Sequence, residues 1–588
     1  MKISSVNRTV NLLTQIINIE KPTESPLKFR AQKPPFRPMP VQQPLPRATP
    51  ESRGISSDLV RTFLQKLADD PTIHPHQVML LRDGHVIAQT AFGAQEVNTW
   101  KYTFSACKSV VSMAIGLLID EGRLTEQTRI ADIFDKKLPA LSATRFNDMT
   151  VEHLLTMSSG IQFSEIEAMT SDDWLKGCLN SLINGEPGRK FHYNSLNTYV
   201  LAAIVREITG QELLEYLRPR LLEPMGIVNV FWEKCPDGIE RGGWGLYLCP
   251  EDFAKLALLV MQDGQWNGKQ LISAEYLRRA TDRRIAVPEE YGDFDYGYQF
   301  WSGRKHRCFL MNGMLGQNAV GFRDSGIIAV INAGNYDMFQ TNEFFRLTQE
   351  TFGRTFPARL GGDISAFLRL RRTIDGFTPA PPKLFRKNDL PPEAEMLDGL
   401  TLIPDRDDAA ASTGLLPLAM QVISGNYTDG LAGIRFYVEN HTLYMAYHEA
   451  DETHTFPIGF RAPAFASLKF HGEPQRAAVS GAFARDEDNH PVLKLRIDLL
   501  ELPSSRFLRL YCYPDRYELL HFESPDEGLI LTNIPRVANS LEDVPLVGPA
   551  LTKITTDWDY FKYLVKRLFR PRIVMKKSDT IPPVKYGD

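Results

Sequence analysis

Cysteine is scarce in this chain of 588 residues: six in all, at Cys107, Cys178, Cys235, Cys249, Cys308 and Cys512. No two stand at CxxC spacing and no histidine cluster accompanies them, so neither a disulfide framework nor a structural zinc site is expected. This is cysteine usage for a reducing compartment. Long apolar runs are also missing. The longest, around residues 110–119, is too short to cross a bilayer. Lys2 and Arg8 precede a stretch, residues 10–19, that is broken by Asn11, Thr14, Gln15 and Asn18, with no small-residue cleavage site after it. No cleaved signal is read there, and the expected location is cytoplasmic. No repeat of fixed period is found. A large excess of one charge is absent as well. Lys+Arg 67 against Asp+Glu 71 leaves a net charge of −4, which gives no general electrostatic reason to bind nucleic acid or an anionic membrane.

What charge there is lies unevenly. Residues 21–50 carry six basic residues and one acidic, and residues 553–588 carry nine and four, so two basic ends flank an acidic body. The length suggests two to four domains. Nine prolines in 22–50 mark residues 1–48 as an extended arm laid over a domain surface. Residues 49–375 mix strands and helices, which suggests an α/β or α+β sandwich. The segment 77–88 reads as a hairpin turning at Asp83-Gly84. Residues 109–121 are apolar nearly all round, the pattern of a buried helix. Further helices are expected over 198–209 and 252–262, and a short buried strand over 326–332. Residues 376–412, rich in Pro and ending in an Asp/Ala run, read as a linker. Residues 413–540 read as an all-β domain. Residues 493–499 alternate apolar and charged, and 434–438 with 443–448, and 507–513 with 517–522, form likely strand pairs. The basic tail, 541–588, holds an amphipathic helix candidate around 560–568, expected to pack on the protein's own surface.

The central chemical feature is Ser105-Ala106-Cys107-Lys108. On a helix, positions i and i+3 share a face, so Ser Oγ and Lys Nζ can meet. A lysine facing an otherwise apolar helix gives up its proton readily or polarises a neighbour, and a Ser–Lys pair can make an acylating nucleophile. The string alone is weak, since Ser25-Pro26-Leu27-Lys28 also fits it, in the Pro-rich arm. Tyr193-Asn194-Ser195 sits on a loop before a helix, and a Tyr beside a Lys ammonium is expected to have a lowered pKa and to shuttle protons. Gly313-Met314-Leu315-Gly316-Gln317 precedes an apolar strand, where glycines allow a ligand to approach the backbone closely. The bland alternatives are a snorkelling Lys108, a core Tyr193 and a simple bend at 313–317.

In this order, the segments resemble the serine hydrolases of the class C β-lactamase and penicillin-binding-protein group, which carry Ser-x-x-Lys, then Tyr-x-Asn or Tyr-x-Ser, then a glycine-containing edge strand. Residues 49–57, 149–160, 252–255 and 263–269 are similar to connecting segments of that family. The likeness covers about residues 45–360 and is nearest to the esterase and 6-aminohexanoate-dimer hydrolase branch. It implies an α+β fold: an antiparallel sheet flanked by helices, plus an all-helical subdomain. The C-terminal all-β domain resembles small barrel-like modules appended to some members, which border the cleft or mediate assembly.

The resemblance also implies roles. Ser105 is the expected nucleophile, Lys108 takes or polarises its proton, and Tyr193 is the general acid/base. Ser195 holds the third motif position, with Asn197 a nearby polar alternative. The Ser105 amide and one from Gly313, Met314, Gly316 or Gln317, best placed at Met314, form the oxyanion hole. No metal or organic cofactor is required. One departure stands out: the family's Lys-Thr-Gly is replaced by Leu310-Met311-Asn312 before Gly313. Without that cation, neutral esters, amides or small peptides are expected substrates, rather than penicillins. His306 and Arg307 are alternative sources of charge, and residues 161–186 and 284–300 are expected to shape the cleft. The expected partners are a small-molecule or short-peptide substrate, no nucleic acid and no integral membrane segment, with self-association through the C-terminal domain as one role for that module. The competing reading is a catalytically silent binding or scaffold protein on the same fold.

Overall fold

The computed structural model describes residues 29–138, 144–169, 171–336, 343–378, 390–405, 413–428, 430–450, 452–528, 531 and 558–581. The described chain divides into two compact units. Residues 37–378 form one. Residues 29–36 join 390–581 in the other.

The first unit is built on a seven-stranded antiparallel sheet. Its order is His85–Ala91, Pro75–Arg82, Ile327–Ala333, Gln317–Phe322, Cys308–Gly313, Trp301–Gly303, Phe294–Tyr296. The 77–88 hairpin is present, with Asp83 and Gly84 both at positive φ in its two-residue turn. Side chains of a strand alternate between faces. Val78, Leu80, Val320 and Phe322 therefore share a core with the helices Ser57–Asp69, Glu343–Phe352 and Ile364–Gly376, through Phe63, Leu64, Phe344, Phe352 and Leu370. Gly321, between two of those strand residues, instead faces Met261 of the helix Pro250–Met261, which covers the sheet's other side.

A helical subdomain stands beside the sheet, around Leu196–Thr209, with Lys108–Asp120, Val151–Leu155, Trp174–Leu179 and Leu213–Leu217 packed against it. The expected buried helix is Lys108–Asp120, and every residue from Lys108 to Leu118 in it is buried. The α+β architecture is thus the observed one.

The second unit is a ten-stranded antiparallel sheet curled into a nearly closed, barrel-like domain. Its order begins with Thr453–Pro457, Thr442–Glu449, Leu431–Glu439 and Thr401–Pro404. It continues through Arg572–Lys577, Tyr517–Ser524, Ser505–Cys512, Pro491–Leu499, Glu473–Arg485 and Ala464–Phe470. Asn440 and His441, both at positive φ, make the tight turn between the second and third of these. Inside, Arg506 pairs with Glu523 at 3.0 Å, and the Tyr447 hydroxyl meets His521 Nε2 at 3.1 Å.

Three boundaries differ from expectation. Thr401–Pro404, read as linker, is a strand of this sheet, and Arg572–Lys577, read as tail, pairs on both sides within it. In that last strand Ile573 and Met575 are buried while Arg572, Val574 and Lys576 face out, so a run that reads as basic is half core. The arm is also divided. Residues 29–36 belong with the β-domain, where Lys33 donates to Glu501 Oε2 at 2.7 Å. Residues 37–48 belong with the first unit, where Arg47 pairs with Glu251 at 2.6 Å.

The tail helix, Trp558–Phe569, buries Val565 and Phe569 against Leu418, as expected of packing on the protein itself. The first 28 residues, residues 379–389 and 406–412 of the Pro-rich linker, and residues 532–557 lie outside the described residues. Among the described residues no helix is long and apolar enough to cross a membrane.

Candidate active site

Ser105 lies in a 3-10 turn, Phe104–Cys107, that opens the helix Lys108–Asp120. The turn is anchored from behind. Thr103 donates through its amide (2.8 Å) and its hydroxyl (2.9 Å) to the Leu246 carbonyl. Phe104 then takes φ +46°, a left-handed conformation that a bulky residue adopts only when its surroundings enforce it, directly before the candidate nucleophile. On the sheet side the end of the Cys308–Gly313 strand closes on the same turn. A Cβ at Gly313 would stand 2.2 Å from the Thr103 carbonyl oxygen, so only glycine fits there.

Lys108 is 2% exposed and donates to three oxygens: Ser105 Oγ at 2.8 Å, Ser195 Oγ at 2.9 Å and the Gly243 carbonyl at 2.7 Å. None of the three carries a charge. Burial lowers the Lys108 pKa from 10.5 to about 8, with Cys107 and then Glu165 opposing that fall only in part.

Tyr193 faces the Ser105 hydroxyl and stacks on Trp301 at 5.9 Å, within a ring of Phe191, Tyr291 and Tyr296. Its pKa is raised, not lowered as expected. Burial among these rings outweighs the Ser105 contact, and the Lys108 amine stands over the ring face, 5.1 Å from the centroid. The phenol therefore stays neutral.

Of the other expected residues, Ser195 stands just before Leu196–Thr209 and, rather than capping that helix with its side chain, accepts from Lys108. Asn197 is engaged elsewhere, accepting from Ser159 Oγ and donating to the Asn194 carbonyl at 2.9 Å. Gln317 donates to the carbonyls of Ala333 (2.6 Å) and Leu315 (3.3 Å), which pins the 314–316 turn. Gly316 adopts φ +86° in that turn against Asn335. Met314, half-buried, begins it next to Gly313. His306 and Arg307 stand at the opposite end of the Cys308–Gly313 strand, six residues or ~17 Å away. Arg307 there pairs with Asp324. Neither replaces the missing cation.

Three contributors escaped the sequence reading. Gly243 supplies the Lys108 acceptor, and a Cβ on it would lie 2.7 Å from the Ser195 carbonyl. The run Gly242-Gly243-Trp244-Gly245 was the available signal. Gln299, at φ +61°, accepts at its backbone carbonyl from Ser109 Oγ and at its side chain from Thr198 Oγ1. It donates to Leu154 and Leu155, so it ties together the helices that carry Lys108 and Ser195. Glu165, at the start of the short helix Glu165–Met169, accepts from the Ser195 amide at 2.8 Å.

Residues 60–339 match the family model described as Beta-lactamase. This domain belongs to the β-lactamase family. The chain is 24% identical over 305 residues to the 6-aminohexanoate-dimer hydrolase of Paenarthrobacter ureafaciens, covering 46% of this chain and 76% of that protein. It is 24% identical over 166 residues to Protein flp of Staphylococcus aureus, covering 25% of this chain and 32% of that relative, so less than half of that protein is matched. Among solved structures, a penicillin-binding protein from Bacillus halodurans aligns with TM-score 0.39 and 18% identity, over 50% of this chain and 97% of its own. The matched residues lie in the first unit, and the ten-stranded domain lies outside them.

Proposed function

We propose that the protein is a serine hydrolase that forms an acyl-enzyme on Ser105 and hydrolyses small neutral esters, amides or peptides. One observation carries this reading: a buried lysine bound to three neutral oxygens, one of them the Ser105 hydroxyl. A neutral amine has two N–H donors and one lone pair. The Gly243 carbonyl and Ser195 Oγ take the donors, which leaves the lone pair for the Ser105 proton. Ser105 Oγ then attacks the acyl carbon, and its proton passes to Lys108 Nζ. The Ser105 amide and that of Met314 receive the developing oxyanion. Tyr193 protonates the leaving group as the C–O or C–N bond breaks, and the proton held by Lys108 replaces the one it gives. Water then attacks the ester on Ser105, losing a proton to the same groups; they return it to Ser105 Oγ as the acyl–oxygen bond breaks, and the carboxylic acid leaves. The absence of a cation at Leu310–Asn312 favours substrates without a carboxylate at that position.

A fluorophosphonate probe tests the nucleophile. Wild type is expected to label and Ser105→Ala to stay unlabelled, and equal labelling of both overturns the assignment. Turnover of short-chain nitrophenyl esters with little hydrolysis of nitrocefin is the expected substrate pattern. A well-folded wild type that reacts with no activated ester returns the protein to the binding-scaffold reading.

A further inference from the structure

Glu165 occupies a singular place beside the reacting groups. Its Oε1 accepts from the backbone amide of Ser195 at 2.8 Å, and Ser195 Oγ in turn holds Lys108 Nζ at 2.9 Å. Among the described residues its second oxygen has no hydrogen-bond partner, and the side chain is half-buried. It is also the only carboxylate whose charge is felt at Lys108 among the described residues. The other titratable groups facing Lys108 are Cys107 from the same turn, a thiol kept neutral by burial, and Tyr193, a neutral phenol. Glu165 itself faces Lys108, Tyr193 and His192, and burial keeps the last of these uncharged at neutral pH. The remaining contacts of the amine are the neutral oxygens of Ser105, Ser195 and Gly243.

We propose that Glu165 is a positioning residue for the Ser105–Lys108 pair: it fixes Ser195 through that residue's amide and sets a negative charge opposite Lys108, thereby governing whether the amine carries a proton. The two duties separate chemically. Glutamine keeps an acceptor oxygen for the Ser195 amide but carries no charge, and alanine keeps neither. An anion nearby favours the ammonium form, so its removal makes Lys108 easier to deprotonate. This inference rests on Lys108 as the base of the proposed reaction.

The test follows fluorophosphonate labelling rates against pH in the full chain. Glu165→Gln is expected to move the rising limb to lower pH with the high-pH plateau kept. Glu165→Ala is expected to lower that plateau about tenfold, as the Ser195–Lys108 bond loosens. A limb for Glu165→Gln that coincides with wild type overturns the charge role, and an unchanged plateau for Glu165→Ala overturns the positioning role. Where Glu165→Ala does not fold, Glu165→Met, which keeps the length of the side chain but offers the Ser195 amide no oxygen, carries the plateau test. A second readout needs no acylation: Lys108 titrated by carbon NMR of 13Cε-lysine protein, assigned with Lys108→Arg. Its midpoint is expected to fall in Glu165→Gln. An unchanged midpoint rejects the charge role of Glu165 whether or not Ser105 is acylated, whereas a shifted midpoint without labelling of wild type rejects only the hydrolase reading.

Discussion

Two buried lysines, one from each domain, are satisfied in opposite ways. Lys33 in the β-domain has a fully buried side chain, but its amine meets the Glu501 carboxylate at 2.7 Å and the Pro474 carbonyl at 2.5 Å. Lys108 in the β-lactamase domain meets only a carbonyl and two hydroxyls. A carboxylate partner compensates the burial of an ammonium and makes the pair a structural element. Neutral oxygens hold the amine in place without paying back its desolvation, so the proton becomes removable. In the proposed reaction, the choice of partner, more than burial, separates a strut from a base.

The largest test of that contrast is Lys108→Ala, expected to slow acylation about a thousandfold in fluorophosphonate kinetics. Retention of wild-type rates would leave the contrast without content. Lys33→Met is its mirror. Removing one partner of a buried pair costs about 3 kcal/mol, so calorimetry should show a lower melting transition while the labelling rate of Ser105 is unchanged. A loss of labelling with no change in melting would reverse the assignment of roles. Gly243→Ala sharpens the geometry. Its Cβ would stand 2.8 Å from that of Ser195, so the carbonyl that anchors Lys108 must shift, with labelling expected to fall about tenfold and stability by about 1 kcal/mol. The finest test is the wild-type pH profile. The base must be unprotonated, so the rate is expected to rise with pH through a midpoint of about 8, the lowered pKa of Lys108. A rate already level from pH 6 would mean the lysine acts by polarising Ser105 as an ammonium.

The motif residues were legible because their chemistry is local. Ser105 and Lys108 are three apart on one turn, and Tyr193 and Ser195 bracket a helix start, so proximity follows from spacing. The hairpin at Asp83-Gly84 and the strand over 491–499 were legible for the same reason. Groups brought in across the fold were not. Glu165, Gly243 and Gln299 come from three separate loops or short elements; the glycine run around Gly243 marks a close backbone approach, but nothing in their own neighbours ties any of the three to Lys108. The Tyr193 pKa went the other way because the rings that desolvate it lie about a hundred residues downstream. Thr401–Pro404 is four residues amid prolines, too short for alternation to register. Arg572–Lys577 does alternate, but its outward positions are mostly basic and masked the inward pair.

The position of that last strand bears on how the β-domain is made. Arg572–Lys577 is the hydrogen-bonded join between a half-sheet of four strands, Thr401–Pro404 through Thr453–Pro457, and a half-sheet of five, Ala464–Phe470 through Tyr517–Ser524. Both halves emerge earlier in synthesis. Until residues 572–577 are available, each presents an open edge, one at Thr401–Pro404 and the other at Tyr517–Ser524, with backbone groups ready to pair with another chain. The β-lactamase domain has all its strands by Ala333 and does not share this wait. A nascent chain thus carries the strands of the β-lactamase domain ahead of an unsealed sheet, and the interval before sealing leaves those edges open to mispairing.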